Sequence, residues 1–163
     1  MLCCFWDQKG LVYYELLQPG ETVSQTRYQQ QMRALTAVLV EKRPEWRGRH
    51  EGKIQLHDNA PAHRTTATQE VLSELKWEVL PHPLYSPDLA PSDYHLFASM
   101  GHALSDLRFA NFEEVRKWVE NWFSSKPEEF FAGDYENCLK DGRRVWLAGD
   151  SIPNKINFLC QFL

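Results

Sequence analysis

Apolar positions in this chain change period several times, and each change marks an element. Leu2 to Trp6 is a continuous apolar, β-prone run. Asp7-Gln8-Lys9-Gly10 reads as a turn, and Leu11 to Leu17 as the returning strand of a hairpin ended by Pro19-Gly20. From Thr26 to Lys42 the spacing becomes helical, with Tyr28, Met32, Leu35 and Leu39 on one face and Pro44 as the stop. Trp46 to Lys53 is a polar, mostly basic connection, and Ile54 to His57 a short buried strand.

A turn at Pro61 precedes a helix expected over Thr65 to Lys76, with Val71, Leu72 and Leu75 inward. Trp77 to Leu80 is the next strand. Pro81, Pro83, Pro87 and Pro91 punctuate an extended loop, after which a helix is expected over Ser92 to Leu104. Asn111 to Ser124 has the cleanest period: Val115, Trp118, Val119, Trp122 and Phe123 fall on one face, behind an Asn111 cap. Both tryptophans therefore read as core. A hairpin followed by two strand–helix–strand passes predicts the α/β class, a mixed sheet flanked by helices.

Composition narrows the classes of partner. With 163 residues, 43% hydrophobic and 13% aromatic, the chain can build one real core. A net charge of −4 weighs against strong nucleic-acid binding by the chain alone, since such binding rests on a basic footprint. Cys3, Cys4, Cys138 and Cys160 form no Cys-x-x-Cys pair and read as reduced thiols; Cys3 and Cys4 should point to opposite faces of their strand. No stretch approaches the length that spans a bilayer, so no membrane partner is expected.

Candidate chemistry concentrates in two acidic residues. Asp58 follows the strand Lys53-Ile54-Gln55-Leu56-His57 and opens Asp58-Asn59-Ala60-Pro61-Ala62-His63. Asp93 sits at the start of an expected helix, with 34 residues between the two. Carboxylates at a strand end and a helix start can converge on divalent ions, an arrangement suited to phosphodiester chemistry. Asp88 in the proline loop and Asp7 in the hairpin turn read as turn or cap residues. His57 and His63, six positions apart across a proline turn, do not have a zinc-ligand spacing and are expected in local hydrogen bonds or near a substrate phosphate.

The segments His57-Asp58-Asn59-Ala60-Pro61-Ala62-His63 and Tyr85-Ser86-Pro87-Asp88-Leu89-Ala90-Pro91-Ser92-Asp93-Tyr94-His95-Leu96-Phe97 together resemble the catalytic core of mariner-type transposases. Leu2-Cys3-Cys4-Phe5-Trp6-Asp7 and Tyr14 to Thr22 share that resemblance, which runs from Met1 to about Gly133. It implies a ribonuclease-H-like fold and cut-and-paste DNA transposition with Mg²⁺ or Mn²⁺ in the nucleus. Asp58 and Asp93 would be the second and third members of an acidic triad and its metal ligands. The first Asp and the helix-turn-helix region of the family would lie upstream of Met1, so the chain reads as a fragment whose fold lacks the first strand.

On that reading residues 1–133 are a partial catalytic domain that is inactive alone, with transposon-end DNA and a homodimer as the partners of intact relatives. An open sheet edge beside Leu2–Trp6 or Ile54–His57 is expected. Residues 134–163 depart from the family pattern at Arg143-Arg144-Val145-Trp146 and read as a divergent, frameshifted and poorly specified tail. The rival reading is a non-catalytic remnant that acts at most in nucleic-acid binding or dimerisation.

Overall fold

The hairpin sets the sheet. Leu2–Asp7 (β1) and Gly10–Leu16 (β2) pair antiparallel, Leu2 opposite Leu16 and Asp7 opposite Gly10. Gly10 closes the turn at φ 110°, where residues with a side chain are strained. Between Phe5 and Trp6 the register slips: Phe5 faces Tyr13 and Trp6 faces Leu11, which leaves Val12 as the extra residue of a β-bulge. Val12 and Tyr13 therefore both join the apolar cluster on one side of the sheet, while Leu11 and Tyr14 join the other. The computed structural model describes residues 1–44, 53–57, 60–80 and 90–132, and the backbone of 158–162.

Helix α1, Gln25–Lys42, starts at Ser24, whose hydroxyl accepts from the Arg27 N–H at 3.2 Å. Its expected face, Tyr28, Met32, Leu35 and Leu39, is fully buried. It ends at Arg43, because the residue before a proline is pushed out of helical geometry. The Arg43 guanidinium then grips Asp7 with two bonds of 2.8 Å, Nε to Oδ2 and a terminal nitrogen to Oδ1. Asp7 also accepts from the Lys9 N–H at 2.9 Å, so its carboxylate fixes the turn and ties it to α1.

Lys53–His57 (β3) runs parallel to Trp77–Val79 (β4), with Ile54 and Leu56 buried as expected. The helix expected over Thr65 to Lys76 is found as Thr66–Glu74 (α3), and the turn expected at Pro61 forms a short helix of its own, Pro61–Arg64 (α2). Thr65 separates the two. Its hydroxyl accepts from the Thr68 N–H and caps α3, with its own backbone extended. Of the three inward residues expected there, Leu72 is buried and Val71 and Leu75 are half-buried.

The expected open edge is not found. The backbone of Phe158–Phe162 (β5) lies between β1 and β3, giving the order β2-β1-β5-β3-β4. It is antiparallel to β1, from Cys3 opposite Phe162 to Trp6 opposite Leu159, and parallel to β3, from Gln55 opposite Phe158 to His57 opposite Cys160. Two neighbouring strands with unpaired backbone groups take up an extended segment to satisfy them. The apolar run at the chain end gave no alternating pattern because the central strand of a sheet needs none. Of the tail, residues 134–157 and 163 lie outside the described residues.

Helices cover both faces. On one, α1 and α3 pack on Phe5 and Val12 through Leu35, Leu39 and Leu72. On the other, Leu2, Cys4 and Trp6 meet Leu96, Phe97 and Met100 and the apolar face of α5, Phe112–Ser124. Asn111 caps α5 as expected, accepting from the Glu114 N–H at 2.9 Å; Trp122 is buried and Trp118 packs against the same core. Cys3 and Cys4 are buried free thiols, with Cys4 in this second cluster.

Candidate functional site

The strand β3 delivers its last residue, His57, to the face of the sheet covered by α1. His57 and His63 are buried, with ring centroids 4.6 Å apart, and Tyr28 of α1 lies 4.2 Å from His63 and 6.1 Å from His57. Gln55 donates to the Tyr28 hydroxyl at 3.0 Å. The corner beyond is fixed by backbone acceptors: the His63 N–H donates to Ala60 O, Thr68 Oγ1 to Ala62 O, and Gln69 Nε2 to His63 O, all within 3.0 Å. The last residue of β3 and the His63 of α2 thus belong to one buried aromatic stack. Asp58, in the segment joining β3 to α2, is outside the described residues, as is Asp88. The two histidines pack as core rings on Tyr28, a partner 29 positions upstream of His57 that no local spacing indicates.

Asp93 is described, and its setting differs from the plain α-helix expected. Residues Ser92–Phe97 form a π-helical turn that continues as α4, Ala98–Leu104. Such wide turns cluster at functional sites. The Asp93 and Tyr94 N–H groups both donate to Ala90 O, at 2.8 and 3.2 Å. Ser92, Leu96 and Phe97 are buried under the turn while Asp93 is half-buried, so the turn is anchored by its neighbours. Two side chains pin it. Trp6 Nε1–H donates to Ser92 Oγ at 3.0 Å within the core, and the His95 ring bonds Phe130 O at 2.9 Å. The turn also lies against β5.

Carboxylate oxygens are the donor type that hard divalent ions require. Among the described residues no three His, Cys, Asp or Glu side chains come together as a ready-made metal site. Of the two carboxylates singled out in the sequence, only Asp93 lies among the described residues. The Trp6–Ser92 contact had no sequence signal, since its partners stand 86 positions apart.

A five-stranded mixed sheet between helical layers is the architecture of the ribonuclease-H-like fold. Comparison with known proteins makes the class specific. The family described as "Transposase (partial DDE domain)" matches residues 1–48. The chain is 58% identical over 131 residues to the Mariner Mos1 transposase of Drosophila mauritiana, an alignment covering 80% of this chain and 38% of that protein. A structure of the Mos1 catalytic domain with Raltegravir and Mn matches with a TM-score of 0.78 over 80% of this chain and 66% of that one, at 58% identity. A pre-cleavage Mos1 transpososome matches with a TM-score of 0.84 over 93% of this chain and 44% of that one, at 51% identity. By sequence and fold the chain is similar to part of the catalytic domain of a mariner-type DNA transposase. It spans about 38% of the length of its Mos1 relative.

Proposed function

We propose that this chain contributes part of the metal-dependent catalytic site of a cut-and-paste DNA transposase, acting on transposon-end DNA in the nucleus. The observation that supports this best is the Asp93-bearing π turn, set on a fold that matches the Mos1 catalytic domain. Asp58 and Asp93 would hold Mg²⁺ or Mn²⁺. Such an ion polarises the phosphate and offsets charge on the attacking and leaving oxygens. The chain's own described contribution is the pinned turn that carries Asp93 and the buried stack of Tyr28, His57 and His63, of which His57 directly precedes Asp58 in sequence. The catalytic part is assigned to residues 1–133, and 134–163 to a divergent tail whose strand β5 joins the same sheet.

Two carboxylates are fewer than the acidic triad that the resemblance implies, so the 163 residues alone are expected not to nick supercoiled plasmid with Mn²⁺. Joined to the segment that precedes the matched region in Mos1-like relatives, the chain should nick, and Asp93→Asn should abolish it. Nicking by the bare chain that vanishes in Asp58→Asn would overturn the incomplete-site reading. A second reading, a non-catalytic remnant, is favoured by the net charge of −4. Inactivity of the joined chain despite Asp93-dependent Mn²⁺ binding would select it.

A further inference from the structure

We infer that Trp6 is a positioning residue for the Asp93 carboxylate, acting through its hydrogen bond to Ser92; this rests on the metal-site reading above and names the device that aims one of its ligands. Three independent features converge on that bond. The β-bulge at Val12 shifts the register between Phe5 and Trp6, and bulges near functional sites serve to re-aim a side chain. The indole is buried against Phe131, at 5.8 Å between centroids, and its single N–H reaches the Ser92 hydroxyl at 3.0 Å. Ser92 is itself buried and stands immediately before Asp93, on the first residue of the π turn.

The chemistry favours a positioning role over simple filling of the core. An indole N–H donates only, so it fixes the side on which the Ser92 hydroxyl accepts. A serine at the head of a helical segment ordinarily turns its oxygen to a nearby backbone N–H. Here the Asp93 and Tyr94 N–H groups go to Ala90 O instead, and the Ser92 hydroxyl is committed to a strand 86 positions away. His95, two residues beyond Asp93, is held from the opposite side by Phe130 O. Asp93 therefore sits between two long-range anchors, one on β1 and one on the helical residues at 128–132. Groups that orient a ligand in this way affect metal affinity by about tenfold or more when removed.

The test is Mn²⁺ titration of the full 163-residue chain by calorimetry, with the thermal midpoint recorded for every variant. Trp6→Phe keeps an aromatic ring and deletes the donor; Ser92→Ala deletes the acceptor; Ser92→Thr retains a hydroxyl. Trp6→Phe and Ser92→Ala should each weaken Mn²⁺ binding about tenfold. The double variant should be no weaker than either, because both remove the same bond. Ser92→Thr should bind nearly as the parent does. Additive losses, or thermal midpoints that fall while Mn²⁺ affinity stays within about twofold of the parent, would overturn the positioning role. Asp93→Asn separates the two claims. If it leaves Mn²⁺ binding unchanged, the metal-site reading fails and this inference with it. If it abolishes binding while the Trp6 and Ser92 variants bind normally, only the positioning role fails.

Discussion

Removing the Asp7 carboxylate should destabilise the chain by about 3 kcal/mol, and removing Arg43 as well should restore much of that loss. The side chains of this pair are 8% and 12% exposed, so the small value typical of surface ion pairs does not apply. Breaking one partner of a buried pair costs roughly 3–5 kcal/mol, because a charge is left without compensation. Arg43 retains some water, which places Asp7→Ala near the lower end; the Lys9 N–H, also bonded to Asp7, adds to the cost. In Asp7→Ala/Arg43→Met both charges are gone and an apolar side chain fills the space. Urea unfolding of the four proteins measures the cycle. With a slope of roughly 1–3 kcal/mol per molar, Asp7→Ala should lower the midpoint by at least about 1 M. A coupling energy of roughly 2 kcal/mol is expected, above the few tenths found for independent sites. Additive single effects, or a loss under about 1 kcal/mol, would refute the clamp. The result bears on the site, since the clamp fixes the end of β1 next to Trp6.

Burial pushes the Cys3 thiol up from its ordinary 9.0 to about 11 and the Cys4 thiol upward as well. Both should resist alkylation at pH 8 in the native state, as peptide mass mapping would show, and react once the chain is unfolded. A raised folded pKa gives stability that is complete below the unfolded value and lost above it. The Cys3 contribution should therefore fade between about pH 9 and pH 11, measured as a falling urea midpoint. For the central strand, Cys160→Pro removes a ladder donor and should cost about 3 kcal/mol or more; an unchanged midpoint would mean that 158–162 does not belong to the sheet.

Elements governed by local physics were legible in the sequence. The hairpin, the α1 face of Tyr28, Met32, Leu35 and Leu39, and the α5 face behind Asn111 all depend on spacing within a few turns. Features set by distant partners were not. Nothing near Phe158 announces that it will pair with β1 and β3, because the central strand of a sheet needs no alternating signature. The helix start at Thr65 was legible, whereas the short helix Pro61–Arg64 was hidden behind the turn signal of its proline. The π turn at Ser92 was hidden because its apolar residues also fit an α-helical period. At the proposed site, the proline loop and the motifs marked Asp58 and Asp93, whereas Tyr28 and Trp6, which contact His63 and Ser92, lie on other elements far away in sequence.

The central claim is that Asp58 and Asp93 share a divalent ion. The most direct measurement is anomalous diffraction from crystals of this chain grown with Mn²⁺. The account predicts one dominant peak, with an oxygen of each carboxylate at a bonding distance of roughly 2.0–2.3 Å and water completing the shell. A peak bound by Asp88 in place of Asp93, or no ordered Mn²⁺ on either carboxylate at millimolar concentration, would contradict it.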